Sequence, residues 1–83
     1  METVKICIRF FGSFRRLGES VSVDVPQNTD IQTLKKILTE KLGKAEEKLI
    51  HDSAFADRES ILKKDFILTQ DTILSILPPV CGG

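Results

Sequence analysis

The run Thr72-Ile73-Leu74-Ser75-Ile76-Leu77 limits the fold more than any other stretch. It is the length of a strand, and its nearly unbroken apolar character is the pattern of a central strand covered on both faces. What precedes it leaves few topologies. Val4, Ile6, Ile8 and Phe10 alternate with Lys5, Cys7, Arg9 and Phe11, a period of two that predicts a strand with one apolar face. Gly12-Ser13 ends it, and Phe14 to Gly18 reads as a loop or one helical turn. Val21, Val23 and Val25 alternate with Ser22 and Asp24 in a second strand, closed by Pro26 and close enough to the first for a hairpin.

Ile31, Leu34, Ile37, Leu38 and Leu42 then recur at helical spacing, with Gln32, Lys35, Lys36, Thr39 and Glu40 on the other face. Thr29 and Gln32 have the spacing of a capping box, and Gly43 falls where a helix-ending glycine belongs. Ala45 to Leu49 suggests a shorter helical turn. Phe55 is a candidate core anchor, Asp57 to Ser60 a turn, and Ile61-Leu62 a short return strand. Phe66 and Leu68 are expected to pack within a connection ending at Thr69-Gln70-Asp71.

A hairpin followed by a crossover helix requires a later strand parallel to one already laid down. The final apolar strand beside the first meets that requirement. The expected fold is α+β: a mixed sheet packed on one main helix, the β-grasp or ubiquitin-like arrangement. With Leu74 and Ile76 facing the helix, Ile73, Ser75 and Leu77 fall on the open face, joined by Cys7, Arg9 and Phe11. An apolar open face on a small domain is a candidate docking surface.

With 83 residues, one domain is expected, residues 1–77, followed by an extended tail, residues 78–83. Twelve Lys plus Arg balance twelve Asp plus Glu, which argues against nucleic acid as the main partner. No apolar run is long enough to span a bilayer, and no export signal is evident, so no membrane role is expected. Cys7 and Cys81 have neither CxxC nor metal-ligand spacing, which points to no metal site and a reduced, cytoplasmic setting.

The tail Pro78-Pro79-Val80-Cys81-Gly82-Gly83 follows the final strand directly. Two prolines remove ladder donors and stiffen the chain toward an extended form. Two glycines then form a thin tip ending in a carboxylate, a shape able to enter a deep site on another protein. Cys81 has no His or basic neighbour within the tail to activate its thiol.

These residues resemble a known family. Pro78-Pro79-Val80-Cys81-Gly82-Gly83 is similar to the ending of the small subunit of molybdopterin synthase, the MoaD-type sulfur carriers. Phe10-Phe11-Gly12-Ser13-Phe14-Arg15-Arg16-Leu17-Gly18 resembles that family's FFAxxRExxG segment, with Arg16 where Glu is common and Gly12 where Ala is common. The related thiamine carriers, ThiS, lack the two prolines.

The resemblance implies that Gly83, with Gly82 before it, carries the chemistry. Its carboxylate would be adenylated with ATP by a ubiquitin-activating-type adenylyltransferase and converted by a sulfur donor protein to a thiocarboxylate. The large catalytic subunit of molybdopterin synthase would then take that sulfur for cyclic pyranopterin monophosphate. Phe11, Ile73, Leu77, Pro78, Pro79, Val80, Cys81 and Arg9 would contact partners. The chain itself would bind no cofactor and act as a non-catalytic, sulfur-donating subunit. Conjugation to proteins through Gly83, or sulfur delivery for thiamine, are the alternative functions.

Overall fold

The computed structural model describes residues 2–79. Expectations for Val80, Cys81, Gly82 and Gly83 lie outside the described residues. In chain order the elements are β1 (Thr3–Phe10), a 3₁₀ turn (Gly12–Leu17), β2 (Ser20–Pro26), β3 (Thr29–Asp30), α1 (Ile31–Leu42) and a second 3₁₀ turn (Lys44–Glu46). Then follow α2 (Glu47–Asp52), β4 (Ala54–Ala56), β5 (Ile61–Leu62), β6 (Ile67–Leu68) and β7 (Thr72–Leu77).

The main sheet has the order β2-β1-β7-β4-β5. β1 pairs antiparallel with β2, Ile6 opposite Val23, and parallel with β7, Ile8 beside Leu74 and Phe10 beside Ile76. β4 runs antiparallel to β7 and carries β5 on its other edge. The crossover through α1 therefore ends in the parallel pair that the order of patterns requires. A second, two-stranded sheet joins β3 to β6.

The core lies between the main sheet and α1. Ile6, Ile8, Val23, Leu74 and Ile76 from the sheet meet Ile31, Leu34 and Leu38 from the helix, all at most 5% exposed. Each such side chain contributes roughly 1.5–3 kcal/mol on leaving water.

Three local expectations are corrected. The cap of α1 is Asp30, whose carboxylate accepts from the Thr33 N–H at 2.7 Å. Thr29 is instead held in β3, with its hydroxyl donating to the Pro26 carbonyl at 2.6 Å. The Thr33 hydrogen bond holds the Asp30 carboxyl below its ordinary value. Phe66, expected to pack, is 43% exposed. A turn closed by its N–H on the Lys63 carbonyl rotates it outward, and only Leu68 of that segment enters the core. Phe55 is the core anchor expected, fully buried at the centre of β4, a strand too short to show periodicity. Finally, β7 is central in the sheet but covered on one face only, with Ile73 66% exposed.

Candidate functional site

Two features adjoin at the end of β7: the open face of the sheet, and the root of the tail. Strand alternation builds the face. In the parallel register Cys7 lies beside Ile73 and Arg9 beside Ser75. Ile73 is exposed, Cys7, Ser75 and Leu77 are half-buried, and Arg9 is exposed. The Arg9 guanidinium sits 5.8 Å from the centre of the half-buried Phe11 ring, a cation–π distance.

A shallow hollow of about 940 Å³ crosses this face. Its lining includes Cys7 and Ile73, with Lys5, Arg9, Arg58 and Asp57 among the charged groups. Asp57 is held in place by the N–H groups of Glu59 and Ser60, at 2.8 and 2.9 Å, which keep its carboxyl below the usual range. Asp71, at the entry to β7, accepts from the Lys5 N–H at 2.8 Å and ties the start of that strand to β1. The surface is thus mixed rather than broadly apolar: Ile73, and Ile61 beside Ala56 toward the β5 edge, are exposed among charges of both signs.

The root of the tail rests on the 3₁₀ turn. Gly12 has φ 57°, in the left-handed region, and its open side faces Pro78. A Cβ at that position would stand 2.6 Å from Pro78 Cγ. The turn is anchored twice. Phe14 is fully buried and lies 6.3 Å from the Phe10 ring, with 18° between the planes. Arg16 forms a two-pronged ion pair with Glu46, one arm being Nη1 to Oε2 at 3.1 Å. That contact holds the Glu46 carboxyl below its ordinary value and raises the Arg16 guanidinium above its own.

Sequence reading did not identify Phe14 as core, nor the Arg16–Glu46 pair. Phe14 lies outside any periodic segment, and the pair spans 30 positions with no local pattern. Arg16 stands out in the sequence as a departure from the resembled motif, and Glu46 gives it a structural partner. Of the expected contact residues, Arg9, Phe11, Ile73, Leu77, Pro78 and Pro79 are described, and all lie on the open face or at the tail root.

On the helix side, a cavity of about 570 Å³ is bordered by Lys35, Lys36, Lys44, Lys64, Glu40 and Glu47 among others. Lys35 Nζ donates to the carbonyls of His51 and Ser53, at 3.1 and 2.7 Å. Burial, reinforced by Lys64, pushes this amine below its usual value. Among the described residues no cluster of three His, Cys, Asp or Glu side chains is arranged for a metal, and no helix is long and apolar enough to cross a membrane.

A mixed five-stranded sheet crossed by one main helix, with a proline-led segment after its central strand, defines a ubiquitin-like β-grasp protein. The sequence model of the ThiS family matches residues 8–83, and the chain belongs to that family. No curated protein sequence matches it. Among solved structures it is similar to a putative molybdopterin converting factor, subunit 1, from Pyrococcus furiosus (TM-score 0.74, 20% identity, 93% of this chain and 99% of that one). It is also similar to SAMP1 from Haloferax volcanii (TM-score 0.75, 15% identity, 95% and 99%). A third similar structure is the UBL domain of Plasmodium falciparum Dsk2 (TM-score 0.68, 14% identity, 93% and 99%). At these identities the likenesses establish the fold.

Proposed function

We propose that this chain is the sulfur-carrier subunit of a molybdopterin synthase, acting in the cytoplasm. The observation that carries the reading is the Pro78-Pro79-Val80-Cys81-Gly82-Gly83 segment, which the ThiS-family match spans and which leads directly from a central strand. The structural likeness to a molybdopterin converting factor subunit supports the choice of acceptor, as do the two prolines.

The chemistry follows from the carboxylate of Gly83. A carboxylate is a poor electrophile, so an adenylating enzyme of the ubiquitin-activating type first joins it to AMP, releasing pyrophosphate from ATP. Sulfide delivered by a donor protein then attacks the acyl carbon and expels AMP, leaving a thiocarboxylate and releasing a proton. The tethered sulfur is presented to the large catalytic subunit, where docking raises its effective concentration at the acceptor. The chain contributes no general acid, base or metal to these steps. Its part is to dock through Arg9, Phe11, Ile73 and Leu77 and to extend the tail.

The test is intact-mass analysis after incubation with ATP, the activating enzyme and a sulfur donor. Replacement of one oxygen by one sulfur, followed by its loss to cyclic pyranopterin monophosphate in the presence of the large subunit, is the expected result. Attachment to lysines of other proteins instead identifies a protein modifier, and transfer only into a thiamine precursor identifies a thiamine carrier.

A further inference from the structure

We propose that Gly12 is a positioning residue for the tail: it seats the Pro78 ring on its bare backbone, and this contact sets the direction in which the chain leaves the sheet after Leu77. The purpose of that direction rests on the sulfur-carrier reading, whereas the seat itself rests on geometry.

Gly12, Gly18 and Gly43 all have positive φ. A Cβ on Gly18 or Gly43 would meet nothing within 4 Å, so backbone conformation alone accounts for those glycines. At Gly12 it would lie 2.6 Å from Pro78 Cγ and 3.1 Å from Cδ, well inside the roughly 3.5–4.0 Å of a carbon contact. A long side chain could swing aside. A proline ring is tied back to its own backbone nitrogen: a change of pucker moves Cγ but leaves Cδ at 3.1 Å, so full relief requires a shift of residue 78 or of the turn.

That movement would not be absorbed locally. Leu77 and Pro78 each precede a proline, and both are thereby biased toward extended conformations. The path from Leu77 to Pro79 is a stiff extended rod, and a tilt at its base displaces whatever it carries. The platform beneath it is also firm. Phe14 is buried two residues after Gly12, and Arg16 is paired to Glu46. Gly12 is therefore a fixed seat under the first rigid residue of the tail. Displacement of a reacting atom by about 1 Å is enough to cost on the order of 100-fold in rate.

The experiment is a double-mutant cycle of Gly12→Asn and Pro78→Ala in the full chain. Asparagine tolerates the left-handed region, as Asn28 does here at φ 74°, so Gly12→Asn adds a Cβ with little backbone strain. The readouts are kcat/KM for adenylation by the activating enzyme, and nuclear Overhauser contacts between Gly12 Hα and the Pro78 ring in the free protein. With Pro78 present, Gly12→Asn should lower kcat/KM about tenfold or more and abolish those contacts. In the Pro78→Ala background the same change should cost less than about twofold.

Adenylation of Gly12→Asn at the wild-type rate overturns the proposal. So does an equal loss in both backgrounds, which would place the effect in the turn and not in the seat. If the activating enzyme does not adenylate even the wild-type chain, the functional reading fails. The Overhauser contacts then decide the seat alone, and their absence from the wild-type protein overturns it.

Discussion

Two phenylalanines in irregular segments, Phe14 and Phe66, should differ sharply in what they contribute. Phe14 is fully buried in the 3₁₀ turn against Phe10, whereas Phe66 is 43% exposed. Truncating a buried Phe to Ala removes its transfer free energy and leaves a cavity, together about 3–5 kcal/mol. The Phe10 pair accounts for roughly 0.5–1.5 kcal/mol of that. A chain of 83 residues has a total stability of about 4–12 kcal/mol. Phe14→Ala therefore removes about a quarter of it or more, and Phe66→Ala should change it by less than about 0.5 kcal/mol. Urea titration followed by circular dichroism measures both. With a slope of about 1–1.5 kcal/mol per molar, the Phe14→Ala midpoint should fall by roughly 2–5 M. Phe14→Leu, which keeps most of the volume, should lose only about 1–2 kcal/mol. A loss below about 1 kcal/mol in Phe14→Ala at unchanged slope would refute the argument that this residue pins the turn to the core.

Other consequences are equally direct. Ile73→Asp puts a charge on the exposed centre of the open face, so it should weaken capture by the large subunit at least tenfold in a titration while leaving the urea midpoint near wild type. Gly82→Ala should slow adenylation or sulfur transfer by about an order of magnitude without loss of stability, deletion of Gly83 should abolish thiocarboxylate formation, and Cys81→Ser should be tolerated. A dead Cys81→Ser beside an active Gly82→Ala would shift the chemistry to the thiol. Glu46 is held below its ordinary value by Arg16, so its contribution is complete above the unfolded carboxylate range near about 4.3 and is lost as pH falls through the lower folded value. The stability difference between wild type and Glu46→Gln should accordingly be largest near neutrality and shrink on acidification, and a gap independent of pH would exclude the ion pair as its source.

What could be read from the sequence is what repeats. The periods of β1, β2 and α1 are long enough to name each element and its buried face, and the order of elements forces the parallel β1–β7 pair. What could not be read depends on single contacts. The shift of the cap from Thr29 to Asp30 turns on two residues of β3 being recruited by β6, a pairing of Thr29 with Leu68 across 39 positions. β4 has three residues, fewer than a period-two signal needs. The Phe14 burial and the Arg16–Glu46 pair are tertiary, and no spacing rule announces them. At the site, the open face followed from strand phase alone, whereas its mixed charge and the seat at Gly12 required coordinates.

The same parallel pairing explains why face and tail form one surface. Parallel strands end on the same edge of a sheet, so the residues after β7 must emerge beside those after β1. That places Pro78 against Gly12, and Leu77 at the same edge as Phe11 and Arg9. Had β7 run antiparallel over the same stretch of β1, its end would lie beside Ile6, at the far end of the pairing from the 3₁₀ turn. Both ends of β7 are tied to the β1 side: Asp71 accepts from the Lys5 backbone where β7 begins, and Pro78 sits on Gly12 where it ends. A partner gripping the open face would therefore meet Pro78 already seated at the same edge. The ordering entropy of the first two tail residues has been met by the fold before docking begins, which is the physical advantage of placing prolines directly after the central strand.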